Sequence, residues 1–143
     1  MKPVVAHAEV SIAAPPDRVW QAMTDPLSVS EYFFGAKVDT DWQPGSTITW
    51  RGEWQGRTFE DKGEILEAEP PHRLVLTHFS PMTGQPDLPE NYHTISYELA
   101  AAGDATRVSL DQDNNQDDAE AAHASMNWES MLQDLKRIVE RAT

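Results

Sequence analysis

Apolar and polar residues alternate strictly from Val4 to Ile12. Val4, Ala6, Ala8, Val10 and Ile12 fall on one side, and Val5, His7, Glu9 and Ser11 on the other. A period of two is the mark of a half-buried strand. The period changes at Pro15-Pro16-Asp17, where proline suits a first helical turn and an early acid suits the helix dipole. Val19, Trp20 and Met23 give that short helix its apolar stripe. Asp25-Pro26 restarts the chain as a second short helix, with Asp25 as N-cap and Pro26 at the first helical position. Leu27, Tyr32, Phe33 and Phe34 lie along it or just past its end.

Period two then returns. It predicts strands over residues 36–40, 46–51, 59–68, 73–79, 94–101 and 106–113. Turns at Pro44-Gly45, Gln55-Gly56-Arg57 and Gly103-Asp104 separate them, and Glu69-Pro70-Pro71-His72 breaks the sheet. Gly63, inside the longest strand, signals a bend or a bulge. Ile48 and Trp50 share one face of their strand, as do Leu74, Leu76 and His78 of theirs. Ile95, Tyr97 and Leu99 are in phase, and so are Val108, Leu110 and Gln112. The loop from Ser80 to Tyr92 carries three prolines and one glycine. Loops of that length in compact domains often serve as lids. The chain closes on a helix from about Asp118 to Arg141. Trp128, Met131, Leu132, Leu135, Ile138 and Val139 recur along it at helical spacing.

Short turns between strands make the sheet antiparallel. Its buried face needs a cover, and the last helix is the element long enough to give one. The expected class is therefore α+β: a curved antiparallel sheet of six to seven strands around a long C-terminal helix, with two short helices after the first strand. The 143 residues fit one domain.

Composition narrows the function classes. There are no cysteines, which excludes disulfides, thiolate metal ligands and a cysteine nucleophile. Residues Met1 to His7 carry no signal-peptide core, and no stretch is apolar enough to span a bilayer. A cytoplasmic location is the expectation. The chain has 11 basic and 24 acidic residues, a net charge of −13. Nucleic acid and anionic lipid are poor partners for such a surface. No Gly-rich phosphate loop and no Gly-x-Ser-x-Gly elbow occurs.

Two segments carry a family resemblance. Ala14-Pro15-Pro16-Asp17-Arg18-Val19-Trp20-Gln21-Ala22-Met23-Thr24-Asp25-Pro26 resembles the opening of SRPBCC (START/Bet v-like) domains, and so does Gly63-Glu64-Ile65-Leu66-Glu67-Ala68-Glu69-Pro70-Pro71-His72-Arg73-Leu74. Asn114-Asn115, then Asn127-Trp128 followed by Leu132 and Leu135, complete the pattern. Within that superfamily the chain is similar to homologues of the heat-shock-protein ATPase activator. The resemblance covers nearly the whole chain and implies a helix-grip fold with an internal cavity. It also implies one of three roles: binding a hydrophobic small molecule, docking on a chaperone, or acting as a cyclase- or hydrolase-type enzyme. A fold alone does not choose among them. His78 and Tyr32 stand where the family often has tryptophan, and Asn127 where glycine is common.

The last helix is uneven. Leu132, Leu135, Ile138 and Val139 fill space, whereas Ala119, Ala121, Ala122, Ala124 and Ser125 leave it empty. A pocket is expected beside the alanine-rich half, with its mouth near the 80–92 loop, unless Trp50, Trp54 or Phe33 plugs it. The candidate ligand-binding residues are Trp50, Leu76, His78, His93, Tyr97, Gln112, Ala124 and Trp128. His78, Tyr97 and Gln112 supply polar groups in phase with the apolar face, and His93 faces His78 across a hairpin. Burial of such a histidine or tyrosine brings acid–base chemistry within reach, but ligand orientation is the better role for them. No catalytic residue and no cofactor is assigned. His78, His93 and Asp61 make an imaginable metal site that no spacing motif supports. The run Asp111 to Asp117 fails the calcium-loop pattern at Gln116 and Ala122 and reads as a solvated turn and helix cap. The expected partner is a hydrophobic small molecule, with a protein partner as the alternative. The oligomeric state stays open.

Overall fold

The computed structural model describes residues 4–33 and 35–141, and of Trp54 only the backbone. Phe34, the Trp54 side chain and the Met1–Pro3 segment, all read above, lie outside the described residues. The elements are β1 (Val4–Ile12), α1 (Pro16–Thr24), α2 (Pro26–Tyr32), β2 (Lys37–Asp39), β3 (Thr47–Trp54), β4 (Arg57–Glu69), β5 (Arg73–His78), β6 (His93–Ala102), β7 (Ala105–Asn115) and α3 (Asp118–Arg141). Two single 3-10 turns, Pro81–Thr83 and Pro89–Asn91, sit in the loop before β6. All seven strands form one antiparallel sheet in the order β1-β7-β6-β5-β4-β3-β2. This is the curved-sheet, long-helix α+β architecture, a helix-grip fold.

Several strands run further than the alternation alone predicts. β3 and β4 pair to their ends, Trp54 with Arg57. Gln55 and Gly56 both take positive φ, 50° and 77°, and two such residues make the tight hairpin turn that suits strand twist. β7 likewise continues through Asn115.

Gly63 plays a different part from the bulge expected of it. The register of β4 against β5 shifts between Ile65 and Glu67, not at Gly63. Gly63 instead allows a close backbone approach: a Cβ there would lie 1.7 Å from the Thr77 carbonyl oxygen. Thr77 adds a side-chain bond, its Oγ1 accepting from the Glu64 N–H at 2.9 Å.

The helices begin where the sequence signals them. Asp25 Oδ2 accepts from the Ser28 N–H at 3.0 Å and caps α2. Asp117 Oδ1 accepts from the Glu120 N–H at 2.8 Å, and Glu120 reaches back to the Gln116 N–H at 3.0 Å. That reciprocal pair satisfies donors that a helix start leaves orphaned. The far end of α3 is tied down as well. Lys136 Nζ donates to the Ser11 carbonyl at 2.7 Å, Glu140 accepts from the Ala13 N–H at 2.9 Å, and Arg141 bonds both oxygens of Glu31. Leu132, Leu135 and Val139 of α3 join Val19, Met23 and Val29 of the short helices in one continuous buried core with the sheet. Burying each such side chain contributes about 1.5–3 kcal/mol.

On the outer face of β1, His7 Nδ1 lies 2.6 Å from Asp111 Oδ1 and Nε2 lies 3.0 Å from Glu9 Oε1. The Asp111 bond is the largest influence on the imidazole and raises its pKa above the ordinary value; Glu9 adds to it and burial opposes it.

Two outcomes are expected. Gly63→Ala forces the Thr77 carbonyl away and should lower unfolding free energy by about 3 kcal/mol or more in urea titrations. An NMR titration should place the His7 pKa above about 6.5. Because the folded value is raised, the contribution of His7 is complete below the unfolded pKa and disappears as pH rises through the folded one. His7→Gln should therefore cost stability at pH 5 and little at pH 9. The effect should be small, since the side chain is 51% exposed.

Candidate functional site

Small side chains open the space that large ones close. Along the first half of α3, Ala121, Ala124 and Ser125 turn inward, while Ala119 and Ala122 face water and leave no void. Beside this half a cavity of about 600 Å³ opens between α3, the inner faces of β4, β5 and β6, and the 80–92 loop. That volume suits a small molecule. Phe33, Phe59, Trp128 and Met131 supply apolar wall, and Ser80, Met82, Thr83 and Asn91 of the loop stand at its rim.

The loop is fastened at several points. Lys62 on the outer face of β4 pairs with Asp87, and the Tyr92 hydroxyl donates to Asp87 at 2.6 Å. These two partners hold the Asp87 carboxyl below the usual range, Lys62 being the stronger. Asn114, at φ 61°, donates to the carbonyls of Glu90 and Tyr92, and Tyr92 stacks on Phe79 at 5.1 Å.

Five of the eight sequence-derived candidates line this cavity: His78, His93, Gln112, Ala124 and Trp128. Trp50, Leu76 and Tyr97 do not. They lie deeper, around an internal cleft of about 20 Å³, hardly more than one water's worth of space. The reason is reach: Phe33 stacks on Trp50 at 5.6 Å and roofs that part of the sheet. Phe33 thus closes the deeper cleft but does not plug the cavity. Burial pushes the Tyr97 phenol far above its ordinary value, so it is fixed as a neutral group and is unsuited to act as a base.

The polar groups of the wall differ in how fully they are used. Gln112 Oε1 accepts from the Trp128 indole N–H at 2.5 Å, and Gln112 Nε2 donates to Asn115 Oδ1 at 3.2 Å. Asn115, only 4% exposed, donates in turn to the carbonyls of Val4 and Gln112. This buried network joins α3, β7 and β1. It corrects part of the reading of the 111–117 run as a solvated turn and helix cap: β7 extends through Asn115 and buries Gln112 and Asn115, whereas Asp111, Gln116 and Asp117 are exposed and Asp117 caps α3. The network also makes Gln112 a structural residue before it is anything else.

His93 Nδ1 lies 2.8 Å from the Asp113 carbonyl and donates to it, which leaves Nε2 as the acceptor of the neutral ring. His78 and His93 are register partners across the β5–β6 hairpin. His78 turns to Asp61, with Nε2 at 2.9 Å from Oδ2. Its ring meets Trp50 edge-on at 5.0 Å and Phe33 at 6.3 Å. Asp61 is 7% exposed, and its Oδ1 is buried with no hydrogen-bond partner. No group of three or more metal-binding side chains occurs among the described residues, so Asp61 and His78 meet without His93 joining them.

Sequence reasoning considered Asp61 only as a metal partner and Phe33 only as a plug, and did not place Phe59 or Met131 in the wall. Asp61 carried a usable signal. It is in phase with Phe59 and Ile65 on β4, and a carboxylate on an inward phase is the exception that marks a site. Replacing Gln112 with leucine should leave the Trp128 N–H buried and unpaired. A loss of about 1–3 kcal/mol in chemical denaturation is expected, with altered Trp fluorescence in the native state.

Fold and cavity together define a helix-grip domain of the SRPBCC type. The chain belongs to the family described as Activator of Hsp90 ATPase homolog 1-like protein, whose pattern matches residues 13–140. No curated protein matches the chain. Among solved structures, a protein from Cytophaga hutchinsonii is 43% identical, superposes with a TM-score of 0.87, and is matched over 99% of this chain and 97% of its own. The Aha1 dimer from Colwellia psychrerythraea is 21% identical, with a TM-score of 0.73 and 96% of each chain covered. DynU16, a putative protein of the dynemicin biosynthetic locus, is 23% identical with a TM-score of 0.79; the match covers 97% of this chain and 48% of DynU16. The last two likenesses concern the fold. No helix among the described residues is long and apolar enough to cross a membrane.

Proposed function

We propose that the domain binds a small, largely apolar molecule in the cavity beneath the 80–92 loop. The observation that carries the reading is the cavity itself, about 600 Å³ of space walled by Phe33, Phe59, Trp128 and Met131. Hydrophobic residues turned toward empty space represent burial that folding leaves incomplete and a ligand completes. The loop adds apolar Met82 to the rim while its own hydrogen bonds are made internally, so it covers a ligand without needing one to order it. Docking on a chaperone, the role the family's description suggests, leaves this space unused. An enzymatic role for Tyr97 is disfavoured by its burial beneath Phe33.

The reading is tested by filling the space. Ala124→Trp places an indole in the cavity from a half-buried helix position. A neutral, apolar fluorescent dye such as N-phenyl-1-naphthylamine should bind the native protein and be displaced by neutral aromatic compounds. In Ala124→Trp, affinity for those compounds should fall about tenfold or more, with the melting temperature held or raised. Unchanged affinity in a folded Ala124→Trp protein would place any binding elsewhere.

A further inference from the structure

We infer that the cavity selects an organic cation: an aromatic or aliphatic body carrying a protonated amine, which Asp61 receives. The inference rests on the ligand-binding reading above and names the ligand class. It begins from one atom. Asp61 Oδ1 is buried without a partner, on a side chain only 9% exposed, and the residue projects from the inner face of β4 into the cavity wall. Natural proteins rarely leave such an oxygen unpaired, because it has lost its water and gained nothing in return. The partner it lacks is a hydrogen-bond donor.

The surroundings say which donor. Asp61 is the only Asp, Glu, Lys or Arg among the described residues lining the cavity. A carboxylate ligand would meet no lysine or arginine there and would face a carboxylate instead. Several donors of the wall and rim are already committed within the protein. His93 Nδ1–H is committed to the Asp113 carbonyl, which leaves its Nε2 as an acceptor. The Thr83 hydroxyl donates to the Ser80 carbonyl, and Asn91 Nδ2 donates to the Pro86 carbonyl. The Trp128 N–H is held by Gln112. A ligand arriving with N–H groups finds Asp61 Oδ1 and the His93 ring nitrogen.

The apolar wall agrees. Phe33, Phe59 and Trp128 present aromatic rings to the cavity, and aromatic faces attract cations. The chain's net charge of −13 favours the approach of a cation from solution. Lys62, the neighbour of Asp61 on β4, points away and is paired with Asp87, and His78 meets Oδ2, so neither occupies Oδ1.

Three probes of one shape isolate the charge: 1-naphthylmethylamine, 1-naphthylmethanol and 1-naphthoate, titrated into the full chain at pH 7 by NMR and calorimetry. The amine should bind about tenfold or more tighter than the acid, with the alcohol between them. Asp61→Asn keeps the shape and still accepts from His78; it should abolish the amine's advantage over the alcohol. The ranking on the native protein needs no variant and stands even if Asp61→Asn folds poorly. An acid that binds as tightly as the amine overturns the inference while leaving the ligand-binding reading intact. An amine preference that survives Asp61→Asn overturns the role of Asp61. Absence of binding by all three, the alcohol included, defeats the ligand-binding reading and this inference with it.

Discussion

A seven-stranded antiparallel sheet is about 29 Å wide at the usual spacing between strands, and an α-helix is about 10–12 Å across with its side chains. One helix therefore cannot cover the concave face that this sheet presents. Everything else about the molecule follows from that shortfall. The chain fastens α3 over the β1–β7 side through Lys136, Glu140 and the Trp128–Gln112 bond. It sends α1 and α2 to fill the space beside the helix's C-terminal half. What remains uncovered is the inner face of β4 and β5 opposite the start of α3, and there the cavity lies. The void is the residue of a geometrical mismatch that small side chains leave unfilled.

The mismatch also explains why the cavity floor is polar yet firm. Trp128 is the last large α3 side chain before the small ones begin, and its indole N–H would be orphaned at the edge of a void. Gln112 Oε1 accepts a hydrogen bond from that N–H, Asn115 Oδ1 accepts from the Gln112 amide, and the Val4 carbonyl of β1 accepts from the Asn115 amide. The first strand is thereby joined to the last strand and helix of the chain. Fully satisfied buried networks fix geometry in this way, whereas apolar contacts slide. The cavity is consequently held open by hydrogen bonds on one side and by Phe33 stacked on Trp50 on another.

The sheet and its helix were legible because they are periodic. β1 buries Ala6, Ala8, Val10 and Ile12 and exposes the residues between, as its alternation requires. Asp25-Pro26 starts α2, and Asp118 starts α3. The parts that were not legible depend on relations between segments. Gly63 reads as a bulge until Thr77 is placed against it, because a close approach needs both strands. Ala119 and Ala122 count as cavity-makers until the helix phase shows them facing water. Asn115 reads as turn residue until β7 is extended to carry it inside. Trp50, Leu76 and Tyr97 share the inner face with the true wall, but no single-strand pattern says that Phe33 lies over them.

Polar residues on the inner face can be ordered by how much of their bonding capacity the protein itself consumes. Gln112 has both ends engaged within the chain, so its presence is explained by the fold. His93 has one nitrogen engaged and one without a partner among the described residues. Asp61 holds His78 through one oxygen and buries the other without a partner. A position that served packing alone would be better filled by an apolar side chain of similar size, since an ion pair buried for stability seldom outperforms one. Local consistency fails most clearly where a protein meets something outside itself. By that measure the proposed binding site centres on Asp61, with His78 bonded to one of its oxygens and Gln112 and Trp128 beside it in the cavity wall.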